Sequence, residues 1–266
     1  RWLDQKDADG IAMRDAMAAA GLSVDGIADL RRDPARYLGF VEVHIEQGPV
    51  LNELDLPLGV VSSINGSLRY RCEVTGTASH AGTTPMNRRR DAACAAAELA
   101  IYLEQRAAQD ADSVGTIGQL NVPNGSINVV PGRCSFSLDL RAPTDAQRDA
   151  LGTDVLAQLQ AICQRRGVEC VCQETLRAGA APSAANWQAH WARAVQALGL
   201  PLFTLPSGAG HDAMKLHQIL PQAMLFVRGE NGGISHNPLE STTSDDMQLA
   251  VDAFTHVLNQ LSTEKL

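Results

Sequence analysis

A chain of 266 residues has room for one large domain or two modest ones and can bury a sizeable core. Hydrophobic residues make up 45% and charged residues 20%, which excludes a disordered tail, a collagen-like repeat and a coiled coil. With 22 basic against 30 acidic residues the net charge is −8, so neither nucleic acid nor an anionic membrane surface is an expected partner.

The first third opens Arg1-Trp2-Leu3-Asp4, with neither an initiator methionine nor a signal peptide, and reads as the middle of a longer sequence. Residues 11–20 form a helical pattern stopped by Gly21, and Ser23 can cap a second segment to about Arg32. Alternation over 40–45 predicts a strand ended by Gly48-Pro49, and a second strand follows at 58–64. From Leu68 the expected order is strand (68–75), alanine-rich helix (88–105), strand (114–122), strand (134–141), helix to about Arg166 and strand (168–173). Thr144 and Gln147 form a capping box at the start of the second helix. That order is a split βαβ sandwich, a self-contained unit at 67–174 inserted between two pieces of a second domain, 1–66 and 175–266.

Beyond it, Ser183 is expected to cap a helix with Trp187, Trp191, Ala194, Val195 and Leu198 on its apolar side. Short buried strands are expected at 202–205 and 223–227. Ser244 would cap a terminal helix that buries Met247, Val251, Phe254, Val257, Leu258 and Leu261. No apolar run approaches the roughly 20 residues of a membrane helix. The six cysteines match no paired C-x-x-C zinc site, so reduced, mostly buried thiols in a cytoplasmic protein are expected.

Four stretches carry polar residues at densities a core does not need. His44-Ile45-Glu46-Gln47-Gly48-Pro49 places a histidine and an amide at a strand end, suited to a metal ligand or to a hydrogen-bonded structural residue. Ser207-Gly208-Ala209-Gly210-His211-Asp212 either admits a ligand to the backbone or is a tight strand-to-helix turn. Gly232 to Glu240 holds His236 between Ser235 and Asn237 in a glycine-started loop. In the insert, His80 sits in a run of glycine and hydroxyl residues at 78–86, and Asn128 and Arg141 complete a polar trio. The arginine fork suits a carboxylate, and an arginine closing a strand is also an ordinary solvated residue.

Together these stretches closely resemble the zinc-peptidase-like metal-dependent amidohydrolases, in the branch of N-carbamoyl-L-amino-acid hydrolases, allantoate amidohydrolases and β-ureidopropionases. Residues 44–49, 79–86, 127–132, 207–213 and 233–240 match in order and spacing. The resemblance implies an α/β fold: a partial zinc-peptidase-like catalytic domain with an inserted ferredoxin-like (βαββαβ) lid and dimerisation domain. It implies two divalent metal ions (zinc, manganese, cobalt or nickel), with His44 and His236 as ligands. Gln47, Gly208 and Ala209 would contact substrate, and Asn128 and Arg141 would hold its carboxylate. His80, from the lid of a dimer mate, would polarise the scissile carbonyl; His211 and Asp212 would organise their loop. The substrate would be a small ureido or carbamoyl compound with a carboxylate.

The pattern is incomplete. The family's His-x-Asp ligand motif and Glu-Glu pair, whose first member is the general base, occur nowhere in this chain. The expectation is therefore a C-terminal piece of such an enzyme, inactive alone, with a dipeptidase or deacylase of the same fold, or a silent dimerisation and substrate-gripping module, as alternatives.

Overall fold

A computed structural model describes residues 2–263. The chain divides into two compact units, Arg1–Leu38 and Gly39–Leu266. In the first, helix α1 (Met13–Ala19) lies within the segment read as helical. The segment after Ser23 is instead a single 3-10 turn at Ile27–Leu30, because Gly26 ahead of it takes a left-handed φ of 83°. Ser23 caps a local bend there, its hydroxyl accepting the N–H of Asp25.

The second unit begins with β1 (Phe40–Ile45), α2 (Val50–Glu53) and β2 (Leu58–Ile64). There follow β3 (Gly66–Thr75), β4 (Ser79–His80), α3 (Ala92–Ala107), β5 (Val114–Thr116), β6 (Leu120–Asn121) and β7 (Val129–Val130). Next come β8 (Arg133–Ala142), α4 (Asp145–Arg166) and β9 (Glu169–Ala178). The chain then passes through β10 (Ala181–Pro182), α5 (Ala185–Ala197), β11 (Thr204–Ser207), α6 (Asp212–Leu216), β12 (Gln222–Val227) and α7 (Ser244–Thr263).

One mixed sheet runs β1-β12-β2-β10, with β11 also paired to β2. β1 and β12 are parallel, and β2 runs against β12. Every residue of β12 is buried, as an apolar run covered on both faces requires. On one face Trp187, Trp191, Leu225 and Val257 pack under α5 and α7; on the other, Leu51, Ile64, Leu205 and Phe226 form a second cluster.

β1 ends this sheet, and that corrects the expected burial of α7. The helix buries Asp246, Ala250, Ala253 and Val257, while Met247, Val251 and Leu258 are exposed at 48%, 57% and 50%. Its apolar stripe is wider than the sheet beneath it, and Met247 and Val251 instead form a groove with Val41 and Val43 of β1. Both caps in this part also differ from expectation. Ser183 spends its hydroxyl on the Val61 carbonyl, leaving Ala184 as an uncapped N-terminal residue. At α7 it is the Thr243 hydroxyl, not Ser244, that accepts the Asp246 N–H.

The second sheet runs β5-β8-β3-β9, antiparallel throughout, with β6 also on β8. Leu68, Phe136, Leu138 and Leu140 point inward against Leu99 of α3 and Leu151 of α4. α4 starts at the Thr144 hydroxyl, which accepts the Gln147 N–H at 3.2 Å, and stops at Gly167 with φ of 65°. The strand expected over 114–122 is two short pieces, because the Ser137 hydroxyl takes the Gln119 N–H and interrupts the ladder. The expectation of six reduced thiols also needs correction. The β3–β9 register sets Cys72 opposite Cys172, and the two form a disulfide. Cys94, Cys134, Cys163 and Cys170 are thiols.

Candidate functional site

Alternation along β1 decides what the edge of the mixed sheet presents. Val41 and Val43 face α7, and Glu42 and His44 face the opposite side. There the turn after β11 carries His211 over β1, and α6 starts with its Ala213 N–H donated to Glu42 Oε2 at 2.9 Å. Glu42 Oε1 lies 3.7 Å from His211 Nδ1, and the rings of His44 and His211 meet edge to face with centroids 4.6 Å apart. Glu42, His44 and His211 thus offer one ligand atom each, all within 4.8 Å of one another.

The protonation states suit that grouping. Burial, with His44 beside it, pushes the His211 imidazole down to about 4, so it is neutral at physiological pH and keeps a lone pair. His211 Nε2 is 2.7 Å from the Ser207 hydroxyl, and His44 Nδ1 is 2.7 Å from the Ile45 carbonyl. A backbone partner of this kind fixes the His44 tautomer and leaves Nε2 for another ligand. One carboxylate with two imidazoles is donor chemistry that zinc, manganese, cobalt and nickel accept, so the residues fit a divalent cation.

Sequence reasoning missed Glu42, although its i, i+2 relation to His44 on a strand was a usable signal. It assigned His211 to loop organisation alone; the Ser207 contact supports that role, and the cluster adds another. His236 is outside this cluster: it is exposed, with φ of 54°, and its N–H is donated to Glu240.

A cleft of about 570 Å³ opens beside the cluster and brings together Gln47, Gly208 and Ala209 with Glu46, Asn65 and Val114. Gln47 is held at φ of 59°, and its Nε2 donates to the Ser235 hydroxyl at 2.9 Å. That hydroxyl in turn donates to Glu240, so the 46–49 and 231–240 loops are tied together. Glu46, also unanticipated, is buried and accepts the N–H groups of Val50 and Leu51; burial still raises its carboxyl above the usual range.

From the second sheet, Arg141 reaches this cleft. Its Nη1 donates to the Gly208 carbonyl at 2.6 Å, while Nε and Nη2 grip Asp139 at 3.0 and 2.8 Å. Among the described residues, two of its five N–H groups have no partner. His80 and Asn128 form a different locus. They lie on the β4–β7 ribbon, where Asn128 accepts the Ala81 N–H at 2.9 Å. That ribbon continues from the Thr75–Arg133 end of the sheet, whereas Arg141 pairs with Ser67 at the other end. Eight strand steps separate the two ends, about 27 Å, so one chain does not bring the three residues of the trio together.

Mixed sheet, inserted antiparallel sheet and the polar cleft where they meet define a mixed α/β protein with a candidate cation cluster beside a small-molecule-sized cavity. The chain belongs to the peptidase family M20/M25/M40, whose sequence profile matches residues 15–260. It is 38% identical over 260 residues to an N-carbamoyl-L-amino acid amidohydrolase of Geobacillus stearothermophilus, covering 98% of this chain and 63% of that protein. It is 34% identical to an allantoate deiminase of Arabidopsis thaliana, over 93% of this chain and 53% of the relative. The fold superposes on a crystal structure of a hydantoinase/carbamoylase family amidase from Burkholderia multivorans with a TM-score of 0.88 and 29% identity, covering all of this chain and 64% of that one. The chain therefore spans less than two thirds of the length of these relatives.

Proposed function

We propose that the protein containing this chain is a metal-dependent hydrolase of linear amide or ureido C–N bonds, of the N-carbamoyl-L-amino-acid or allantoate type. The contact of Arg141 with Gly208 carries the reading, because it sets a carboxylate-binding guanidinium over the cleft that Gln47 and Ala209 line. Its similarity to an N-carbamoyl-L-amino acid amidohydrolase and an allantoate deiminase supports that chemistry. Residues 67–174 serve as a ferredoxin-like lid and dimerisation domain, and 1–66 and 175–266 as the catalytic domain. The location proposed is cytoplasmic, a compartment in which a disulfide such as Cys72–Cys172 is unusual; among the described residues no helix is long and apolar enough to cross a membrane.

Glu42, His44 and His211 would hold a divalent cation, with His236 as a ligand for a second. When bound, such a cation supplies Lewis acidity toward the carbamoyl carbonyl and a nucleophile at neutral pH. The chain's own residues position the substrate. Arg141 offers its uncommitted N–H groups to the carboxylate, and the Gln47 amide and the backbone at 208–209 orient the ureido group. His80 and Asn128 lie at the far end of the sheet from Arg141, which supports a homodimer in which they would serve the cleft of a second copy of the chain. His80 would donate to the carbonyl oxygen as charge develops there.

A second reading, a gripping module silent by itself, draws on donor count. The described residues contain one three-residue ligand cluster, and a co-catalytic metal pair needs further carboxylates. Turnover of N-carbamoyl amino acids with added Zn²⁺, Mn²⁺, Co²⁺ or Ni²⁺ separates the readings. Calorimetric titration of the same ions into wild type, His44→Ala, His211→Ala and His236→Ala tests the ligands. Unchanged affinity in the first two variants would sink the Glu42–His44–His211 assignment.

A further inference from the structure

The open face of the β5–β8–β3–β9 sheet, turned away from α3 and α4, carries positive charge that neither the cleft nor the fold requires. Alternation puts Arg69, Arg71 and Glu73 of β3 on that face beside Arg133, Asp139 and Arg141 of β8. Four arginines of these two strands thus meet two carboxylates of the same strands, with Glu169 of β9 on this face opposite Thr75 at the far end, on a chain whose net charge is −8. Both carboxylates are engaged. Glu73 is 3.5 Å from Arg133, and Asp139 is shared by Arg69 at 3.1 Å and Arg141 at 2.8 Å.

The guanidinium of Arg71, exposed between these two clusters, has no ion-pair or hydrogen-bond partner among the described residues. It lines a groove of about 600 Å³ with Arg69, Arg141, Thr116 and Gln119, and stands opposite Ser137 and Gln173. Val114 borders both this groove and the cleft beside Gly208, so the two are neighbours. Arg71 is four strand steps from Ser67, the partner of Arg141, which sets the two arginine Cα atoms about 14 Å apart. That is within the joint reach of two arginine side chains closing on one small molecule.

We propose that Arg71, supported by Arg69, forms a second anion subsite next to the Arg141 carboxylate site, so that the preferred substrate is an N-carbamoyl amino acid whose side chain carries its own carboxylate. The inference rests on the reading of the cleft given above and narrows its substrate class. Arg141 and Asp139 already neutralise each other in part, which leaves the side-chain carboxylate to the unpaired guanidinium. Because the groove is open to solvent, the preference is about tenfold rather than a thousandfold.

N-carbamoyl-L-glutamate and N-carbamoyl-L-glutamine differ in charge at nearly constant shape, so they form the probe pair. Both are titrated calorimetrically into the chelator-treated full chain, as wild type, Arg71→Gln and Arg71→Lys, with melting temperature as a control for folding. Wild type binds the glutamate compound about tenfold more tightly; Arg71→Gln abolishes the difference, and Arg71→Lys keeps part of it. Equal affinities in wild type, no binding of either compound, or a preference that survives Arg71→Gln would each overturn the subsite. Hydrolysis of the same pair with added Mn²⁺ is scored separately: a binding preference without any turnover would favour the gripping-module reading of this chain and leave the anion subsite standing.

Discussion

Opening the Cys72–Cys172 bond should cost the second sheet a large share of its stability. The pair joins β3 to β9, the strands through which the chain enters and leaves that sheet, and it closes a 100-residue loop. Chain-entropy reasoning assigns a cross-link of that span about 4.7 kcal/mol, and residual structure in the unfolded chain brings the measurable part to roughly 2–4 kcal/mol. Cys172 is the better position to change, because it is half-buried whereas Cys72 is only 3% exposed in the core. Urea unfolding of the air-oxidised chain, with and without reductant, should therefore show a midpoint drop, and Cys172→Ser should unfold at the reduced midpoint in either condition. Thiol titration in denaturant without reductant should find four reactive groups. Six reactive thiols, or superimposable unfolding curves with and without reductant, would refute the reasoning.

Three further outcomes follow from single residues. His211 stays neutral in the native state down to about pH 4, whereas the unfolded chain protonates it near 6.5. The unfolded state therefore binds more protons in that window, and stability falls as pH falls through it, by about 3 kcal/mol at pH 4; a His211→Gln variant with an unchanged pH slope would contradict this. Trp191 is fully buried and stacks on Phe254 with centroids 5.9 Å apart, so Trp191→Ala should cost about 3–5 kcal/mol in denaturant unfolding. Its indole N–H has no partner among the described residues, so Trp191→Phe should cost less than Trp191→Ala, through lost volume alone, and an equal loss would contradict this. Under the proposed hydrolase reading, Arg141→Lys should lower kcat/KM by roughly 2–3 kcal/mol for carboxylate-bearing ureido substrates and much less for analogues without the carboxylate. Equal losses on both would make Arg141 a support of the sheet instead.

What could be read from the sequence was local. The strands at 40–45 and 58–64 coincide with the observed ones because alternation and an apolar run between glycines state them directly. The Thr144–Gln147 box likewise starts α4 as read. What escaped depends on distant partners. Glu42 meets the start of α6 across 171 residues, so nothing near it announces a cluster with His211. The exposed side of α7 could not be foreseen from its own stripe, since that depends on where the sheet stops. Cys72 and Cys172 are opposed only through the β3–β9 register, and spacing along the chain does not contain that pairing. The trio of His80, Asn128 and Arg141 was grouped by residue type, and strand direction then set its members at opposite ends of one sheet.

The lacing of the 46–49 loop to the 231–240 loop bears on how such a site can be re-engineered. Gly233, at φ of 72°, leaves no space for a side chain: a Cβ there would sit 1.7 Å from the Gly48 carbonyl oxygen. Backbone thus rests on backbone, with the Gln47–Ser235–Glu240 hydrogen bonds alongside. Neither loop is a free variable in a library. Transplanting one into a related scaffold without the other would pair a positive-φ glutamine with a foreign floor, whereas exchanging both as a cassette preserves the seam. Selection for altered specificity should accordingly accumulate paired changes across these two segments, and randomisation schemes that vary one of them alone should return mostly unfolded clones.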